Sequence, residues 1–417
     1  MGFIDTTFMD NPGLIPHLFR TEYRKIVSVL CRRFGFDHIE TAEDLASETF
    51  LVAAQTWGFE GLPENPTAWL YAVARNKAKN YLQRDAFFRD TVAPELQNST
   101  PIDREQEIDL SPHNISDSQL RMMFVLCHPS IPPESQIGLS LRILCGFGIE
   151  EIADAFLTNK ETINKRLFRA KEILRKEMIA FELPSAMEID NRLETVLKTI
   201  YLLFNEGYYS VSGNSTLRMD LCLEALRLCT MLTENENTNK PQVNALLALM
   251  CFHASRFEAR TGQNGELILY QDQDEQRWNA ELITRGGIFL QRAITGSVLS
   301  KYHLEATIAF WNTNKSDTQE KWENILQLYN QLLQIEYSPI AALNRTYALS
   351  KVRGKEEAIG QAEKLNLTEN QFYFMLLGEL YSGINDDEAQ RNLRRAFAIA
   401  KTDADKQIIQ KKLDSFQ

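Results

Sequence analysis

The chain has 417 residues, 44% hydrophobic and 24% charged, a soluble globular composition with room for about two to four domains that each bury a core. No apolar run approaches the ~18–20 residues that a bilayer requires. The N-terminus MGFIDTTFMDNPG has neither the basic nor the apolar segment of a secretory signal, so a cytoplasmic protein with no membrane partner is expected. The formal net charge of −11 argues against a nucleic-acid partner unless the charge is unevenly distributed, and it is. Between Tyr71 and Arg89 there are five basic residues and one acidic; between Thr158 and Met178, seven and three; between Asp90 and Asp117, one basic and seven acidic. Two cationic islands thus flank an acidic strip, and phosphate is attracted locally whatever the sum.

Apolar residues recur at three- and four-residue spacing almost throughout, which predicts an all-α protein. The first zone, 10–89, is helical and is interrupted by GLPENP at 61–66. Within it, Thr41–Ala54 reads TAEDLASETFLVAA, with Leu45, Phe50 and Val52 facing inward. Asp44 and Glu48 stand four residues apart, on one helical face. They form an exposed carboxylate pair suited to a basic partner, or Asp44 is simply an acid favoured at a helix start. A catalytic pair is not expected, because no histidine or nucleophile lies near. Asn65–Phe88 then carries Arg75, Asn76, Lys77, Lys79, Asn80 and Arg84, the cationic and amide groups that an unstacked single strand requires. Trp69 and Tyr81 fall at a spacing that favours packing over base stacking.

The second zone, 90–117, contains Pro94, Pro101 and Pro112 and reads as a flexible acidic linker. The third, 118–182, contains GIEEIADAFLTNKETINKRLFRAKEILRK at 148–176. Ile149, Ile152, Ala153 and Phe156 make the stripe of one short helix. Leu157, Thr158 and Asn159 make a turn, with Thr158 or Asn159 as the cap of the next helix. Ile163, Leu167, Ala170, Ile173 and Leu174 form that helix's inner face. Lys160, Glu161, Thr162, Asn164, Lys165, Arg166 and Arg169 lie outside, as on a helix whose N-terminal part enters a major groove. Charge alone equally suits a solvated basic face.

The fourth zone, 187–417, is helical and contains a repeat: Leu343, Asn344 and Tyr347 recur 34 residues later as Leu377, Gly378 and Tyr381. Alanines follow each set, at 358 and 362 and at 389 and 396. This period and spacing resemble the tetratricopeptide signature and predict a TPR-like α-solenoid. GELILYQDQDEQRWN at 265–279 breaks the pattern and reads as a loop or short extended piece before a new helix. Asn205, Glu206, Asp272, Gln273, Asp274, Arg277 and Trp278 are candidates for a polar functional patch, with hydrogen bonding between repeats as the alternative reading.

These segments together resemble the extracytoplasmic-function sigma factors of bacterial RNA polymerase, in a subgroup with a C-terminal tetratricopeptide-like extension. The Asp-Leu-x-x-Glu-Thr-Phe pattern at 44–50 resembles sigma region 2.2. Residues 65–88 resemble regions 2.3 and 2.4, and 148–176 resembles region 4, although Phe156-Leu157 stands where the family commonly has Leu-Gly. TIYLLFNEGYYSVSG at 199–213, RMDLCLEALRL at 218–228 and ALLALMCFHASRFEAR at 245–260 resemble the extension.

The resemblance implies a region 2 bundle, the linker, a region 4 helix-turn-helix and the solenoid. It implies core polymerase as the partner of Asp44, Leu45 and Glu48, the −10 element as the partner of the Arg75–Arg84 set, and the −35 element as the partner of the Lys160–Arg169 set. For the extension it implies a regulatory contact, with a protein partner or with the sigma modules themselves. The alternative is a stand-alone helix-turn-helix regulator with a sensing repeat domain.

No enzyme is expected, since there is no P-loop, Rossmann fingerprint or HExxH, and His17, His38, His113, His128, His253 and His303 are scattered. No cofactor or metal is expected either. None of Cys31, Cys127, Cys145, Cys222, Cys229 and Cys251 forms a CxxC pair, and buried reduced thiols are expected.

Overall fold

The structure is a computed structural model that describes residues 14–91, 108–156, 158–177, 179–209, 219–260, 262, 268, 270–296, 299–400 and 403–416. Every regular element among them is helical. The chain divides into two compact units, Met1–Thr199 and Ile200–Gln417.

In the first unit, α1 (Leu14–Phe34), α2 (Ile39–Glu60) and α3 (Pro66–Thr91) pack together. Ile39, Ala42, Ala46, Phe50, Ala53 and Trp57 form the buried stripe of α2, at helical spacing. Alanines at 42, 46, 53, 74 and 78, none of them measurably exposed, let the three axes approach. Gly35 (φ 89°) and Gly61 (φ 86°) end α1 and α2 in a conformation that side chains disfavour. Asn65 then accepts from the Ala68 N–H at 3.0 Å, and Pro66 occupies the first position of α3, where its missing N–H costs nothing. Trp57 and Trp69 meet edge to face at 5.3 Å and Phe34 lies 5.4 Å from Tyr81, so both ambiguous aromatics are packing residues.

The same unit continues with α4 (Pro112–Leu126), α5 (Pro133–Ile143), α6 (Ile149–Ala155), α7 (Lys160–Lys176) and the start of α8 (Ala186–Tyr209). Residues 92–107 of the acidic strip lie outside the described residues, but its end is a correction to the reading of a linker through 117. Ser111 caps α4, its hydroxyl accepting from the Asn114 N–H at 3.4 Å with Pro112 next to it, so 112–117 is helix. Ile108 and Leu110 are buried (5% and 4% exposed), so 108–111 is packed chain rather than a loose tether. In α7, Ile163, Leu167, Ala170 and Leu174 face inward as expected, and Ile173 is half-buried. Asn159 is the cap, accepting from the Thr162 N–H at 2.8 Å; Leu157 lies outside the described residues.

The second unit comprises the end of α8, then α9 (Met219–Glu234), α10 (Pro241–Ala254), α11 (Phe257–Arg260), two 3-10 turns (Tyr270–Asp272 and Glu275–Arg277) and α12 (Ala280–Ala293). After these come α13 (Lys301–Trp311), α14 (Gln319–Ile335), α15 (Pro339–Arg353), α16 (Lys355–Leu365), α17 (Gln371–Tyr381), α18 (Asp386–Ile399) and α19 (Asp403–Asp414). From α12 on, each helix packs on its neighbours in sequence. Helix α10 is apolar all round and buried from Val243 to Phe252, the pattern of a central helix rather than a surface one. The segment 265–279, of which 265–267 and 269 lie outside the described residues, connects α11 to α12 as an irregular stretch with two 3-10 turns and no extended piece among the described residues.

Glu305 on α13 carries a buried carboxylate oxygen. Burial raises its carboxyl to about 7, against the opposing pull of Lys301 and a hydrogen bond from Tyr201. Its folded pKa lies above the unfolded value, so the folded state binds the proton more tightly. The contribution to stability is complete below about pH 4.3 and is lost as pH rises to about 7. Between pH 5 and 8 the unfolding midpoint of the wild type therefore falls more than that of Glu305→Gln, read by denaturant titration at both pH values.

Candidate nucleic-acid and polymerase interface

The α2 carboxylates occupy different settings. Asp44 is exposed on the first half of the helix. Glu48, one turn on, is also exposed but pairs with Lys77 of α3 at 2.8 Å, so it links the two helices instead of standing beside Asp44 as a second bare carboxylate. Leu45 is only 8% exposed, and its part is to hold α2 against the bundle. Val52 is half-buried.

On α3, Asn76, Lys79, Asn80 and Arg84 are exposed, while Lys77 is half-buried in its pair with Glu48. Ala74 and Ala78 face the core, so the polar residues between and after them project from the opposite side. Arg75 is exposed but engaged: its Nε donates to the Ile108 carbonyl at 3.1 Å. Beside it, Ser111 donates twice to Asp109 and holds that carboxyl below its usual range, with Arg75 and Arg32 adding to the effect.

On α7, Glu161, Thr162, Asn164, Lys165 and Arg169 are exposed. Lys160 pairs with Glu150 of α6, and the lysine lowers the Glu150 carboxyl pKa. Arg166 is half-buried, bonded to Glu134 at 3.0 Å and lying over the Phe156 ring at 5.4 Å. The N-terminal half of α7 thus offers a polar and cationic surface, braced by α5 and α6 through its flanking cations.

The polar set of the second unit is not one surface. Trp278 is a correction: it is 8% exposed and stacks on Tyr270 at 6.0 Å, because the 3-10 turn folds its indole inward. Gln273 is buried too. Asp274 caps that turn, accepting from the Gln276 N–H at 3.0 Å. Asp272 and Arg277 are exposed, whereas Asn205 and Glu206 on α8 are half-buried.

Several residues escaped the sequence reading. Phe59 is 95% exposed just before the 61–65 loop, and Phe168 is 64% exposed on α7. The signal for Phe59 was its position two residues after buried Trp57, off the stripe of α2.

Comparison with known proteins gives the family of the chain. Residues 18–87 match the family described as Sigma-70 region 2, and residues 192–294 match a family of unknown function (DUF6596). Uncharacterized protein R00370 of Rhizobium meliloti (strain 1021) is 33% identical over 386 residues, 91% of this chain and 90% of the relative. RNA polymerase sigma factor YlaC of Bacillus subtilis (strain 168) is 29% identical over 171 residues, 41% of this chain and 95% of the relative. The ECF RNA polymerase sigma-E factor of Salmonella typhimurium (strain LT2) is 31% identical over 135 residues, 31% of this chain and 70% of the relative. This chain belongs to the ECF RNA polymerase sigma factors.

Sigma factors of this family serve transcription initiation and are not enzymes. The region 2 match covers nearly all of α1–α3, the bundle that carries Asp44, Glu48 and the α3 cations. The match over 192–294 is to a family without a functional assignment. No solved structure matches the chain. Among the described residues no helix is long and apolar enough to cross a membrane.

Proposed function

We propose that this ECF sigma factor binds core RNA polymerase through the exposed face of α2, holds the −10 strand on α3 and reads the −35 element with α7. The match of 18–87 to Sigma-70 region 2 carries the reading. Asp44 meets a basic group of the polymerase, and Glu48 does so or keeps Lys77 in place beside it. Asn76, Lys79, Asn80 and Arg84 supply the cations and amides for phosphates and unstacked bases, and the 61–65 loop, with exposed Phe59 next to it, borders that surface. Helices α6 and α7 form the helix-turn-helix, whose second helix places Thr162, Asn164 and Lys165 at base edges and Arg169 at phosphate.

The second unit regulates or supports this activity as a TPR-like extension. The 34-residue offset supports that reading: Leu343 and Leu377 are both buried, and Ala358, Ala362, Ala389 and Ala396 are fully inside. Its partner is a protein or the sigma modules.

Charge reversal separates this function from that of a stand-alone DNA-binding regulator. The wild-type chain co-elutes with purified core polymerase, and Asp44→Arg weakens that association by roughly 10-fold, since like charge at a contact costs about 1.4 kcal/mol or more. Co-elution unchanged by Asp44→Arg removes the α2 assignment, and a wild-type chain that never joins the polymerase removes the sigma assignment.

A further inference from the structure

In the second unit, two arginines and a histidine gather against aromatic rings. Tyr208 of α8 is buried, and its ring lies 5.0 Å from that of His253 on α10. Arg260, which ends α11, stacks over the Tyr208 ring at 3.8 Å. Arg256, one turn earlier, donates to the Tyr208 hydroxyl at 3.5 Å and lies 3.2 Å from His253 Nδ1. Its guanidinium is also 5.3 Å from the centre of the Tyr270 ring, on which Trp278 stacks at 6.0 Å. Backbone bonds hold these segments together. The Ile268 N–H donates to the Arg260 carbonyl and the Asn279 N–H to the Ser255 carbonyl, both at 2.8 Å.

The charges of this cluster do not balance. Arg256 is half-buried, and among the described residues no carboxylate pairs with it. An arginine can only donate, so His253 Nδ1 accepts and the neutral imidazole keeps its proton on Nε2. Burial, then the charges of Arg256 and Arg260, hold the pKa of this ring well below its usual range. Both guanidinium charges are therefore felt at one neutral side chain. Glu275, whose charge reaches Tyr270, already accepts from the Lys315 N–H at 3.1 Å. Guanidiniums stacked on rings are weakly hydrated and fixed in plane, the state in which they bind oxyanions best. A second observation points the same way. The indole N–H of Trp278, beside Tyr270, is buried without an acceptor, and buried donors are rarely left so.

We propose that Arg256 and Arg260, with Tyr208, His253, Tyr270 and Trp278 around them, bind the phosphate group of a small phosphorylated ligand. A phosphate monoester carries a charge of about −1.5 to −2 at neutral pH, which matches two guanidiniums better than one carboxylate does. The planar fork of Arg256 takes two of its oxygens. The indole N–H gains its acceptor from the ligand after a small shift of the Tyr270–Trp278 stack. Arg256, His253, Arg260 and Tyr270 are all half-buried, so the group is reached from solvent. The site is independent of the sigma reading and gives the second unit a ligand besides its macromolecular partner.

The test titrates the full chain at fixed ionic strength with inorganic phosphate, glycerol phosphate and adenosine monophosphate, and with succinate as the carboxylate control. Calorimetry gives the affinity, and the indole N–H resonance of Trp278, assigned by its loss in Trp278→Phe, reports the place. A saturable shift of that resonance with phosphate or its esters is expected, and their order of affinity tells the free anion from an ester. Arg256→Gln weakens binding by at least about tenfold, the effect of one lost charge-assisted bond. Arg256→Lys keeps the charge without the fork and recovers part of the loss, which separates recognition from folding. Three results would each overturn the site: no saturable shift with any phosphate, equal binding by Arg256→Gln and the wild type, or succinate bound as tightly as phosphate. None of these readouts involves polymerase or promoter, so their failure is distinct from a failure of the sigma reading.

Discussion

Lys165→Ala and Arg169→Ala in one chain lower the affinity of polymerase-bound sigma factor for its promoter by ~1–3 kcal/mol per lost base contact and less for a lost phosphate contact. Both side chains are exposed on the outer face of α7, whose inner face is closed by Ile163, Leu167, Ala170 and Leu174, so the fold tolerates the change. The two losses separate by salt dependence. Each phosphate contact removed reduces the slope of log affinity against log salt by about 0.9, while a lost base contact lowers affinity at the cognate site and spares non-specific binding. Filter binding or fluorescence anisotropy across a salt series reads both quantities. Unchanged affinity and slope would remove α7 from the DNA surface. Lys160 and Arg166 are poorer choices for the same experiment. Their cations already serve Glu150 and Glu134, and truncation would disturb the packing of α5–α7 as well as DNA contact.

Phe252→Ala destabilises the second unit by ~3–5 kcal/mol, the cost of emptying a large apolar site that cannot fully collapse. Phe252 is 1% exposed on α10, the helix apolar on every side, and it lies against α12. At the facing position, a Cβ on Gly286 would stand 2.6 Å from the Phe252 ring. The ring occupies the space that the glycine leaves, so Gly286→Ala also destabilises, by ~1–3 kcal/mol of overpacking. Denaturant unfolding followed by amide exchange in α10 and α12 separates these effects from the first unit. Protection in α10 that survives Phe252→Ala would contradict the central place given to this helix.

What could be read from the sequence follows from what a periodic pattern encodes. The stripe of α7 was legible because that helix buries one face, Ile163, Leu167, Ala170 and Leu174 recurring at three- and four-residue spacing; on α2, Leu45 and Phe50 were read inward and are buried, while Val52 is half-buried and the buried Ala42, Ala46 and Ala53 carried too little apolar signal to be read. The Asn159 cap and the break at Gly61–Asn65 were legible for the same local reason. Partners distant in sequence were not. Glu48 looked like half of a carboxylate pair, and only the packing of α2 on α3 brings Lys77 to it. Trp278 stands in a polar run that fits a functional patch or hydrogen bonding between repeats alike, and its burial depends on the fold of the 270–278 turns. The strip read as linker through residue 117 contained Ser111-Pro112, a helix-start signal outweighed by its proline and acidic content. Ile108 and Leu110 gave no period of their own, being two isolated apolar residues that find a place only on other helices. Glu43 and Lys171, which pair at 2.8 Å, are individually unremarkable charges, since complementarity across 128 residues of chain leaves no local trace.

Run-off transcription with purified core polymerase and genomic DNA tests the central claim most directly. Addition of the full chain is expected to produce transcripts from a small set of discrete start sites, lost with the α7 double variant and absent with polymerase alone. Transcripts that do not depend on the chain, or none at all while the chain remains folded and monodisperse, would contradict the account.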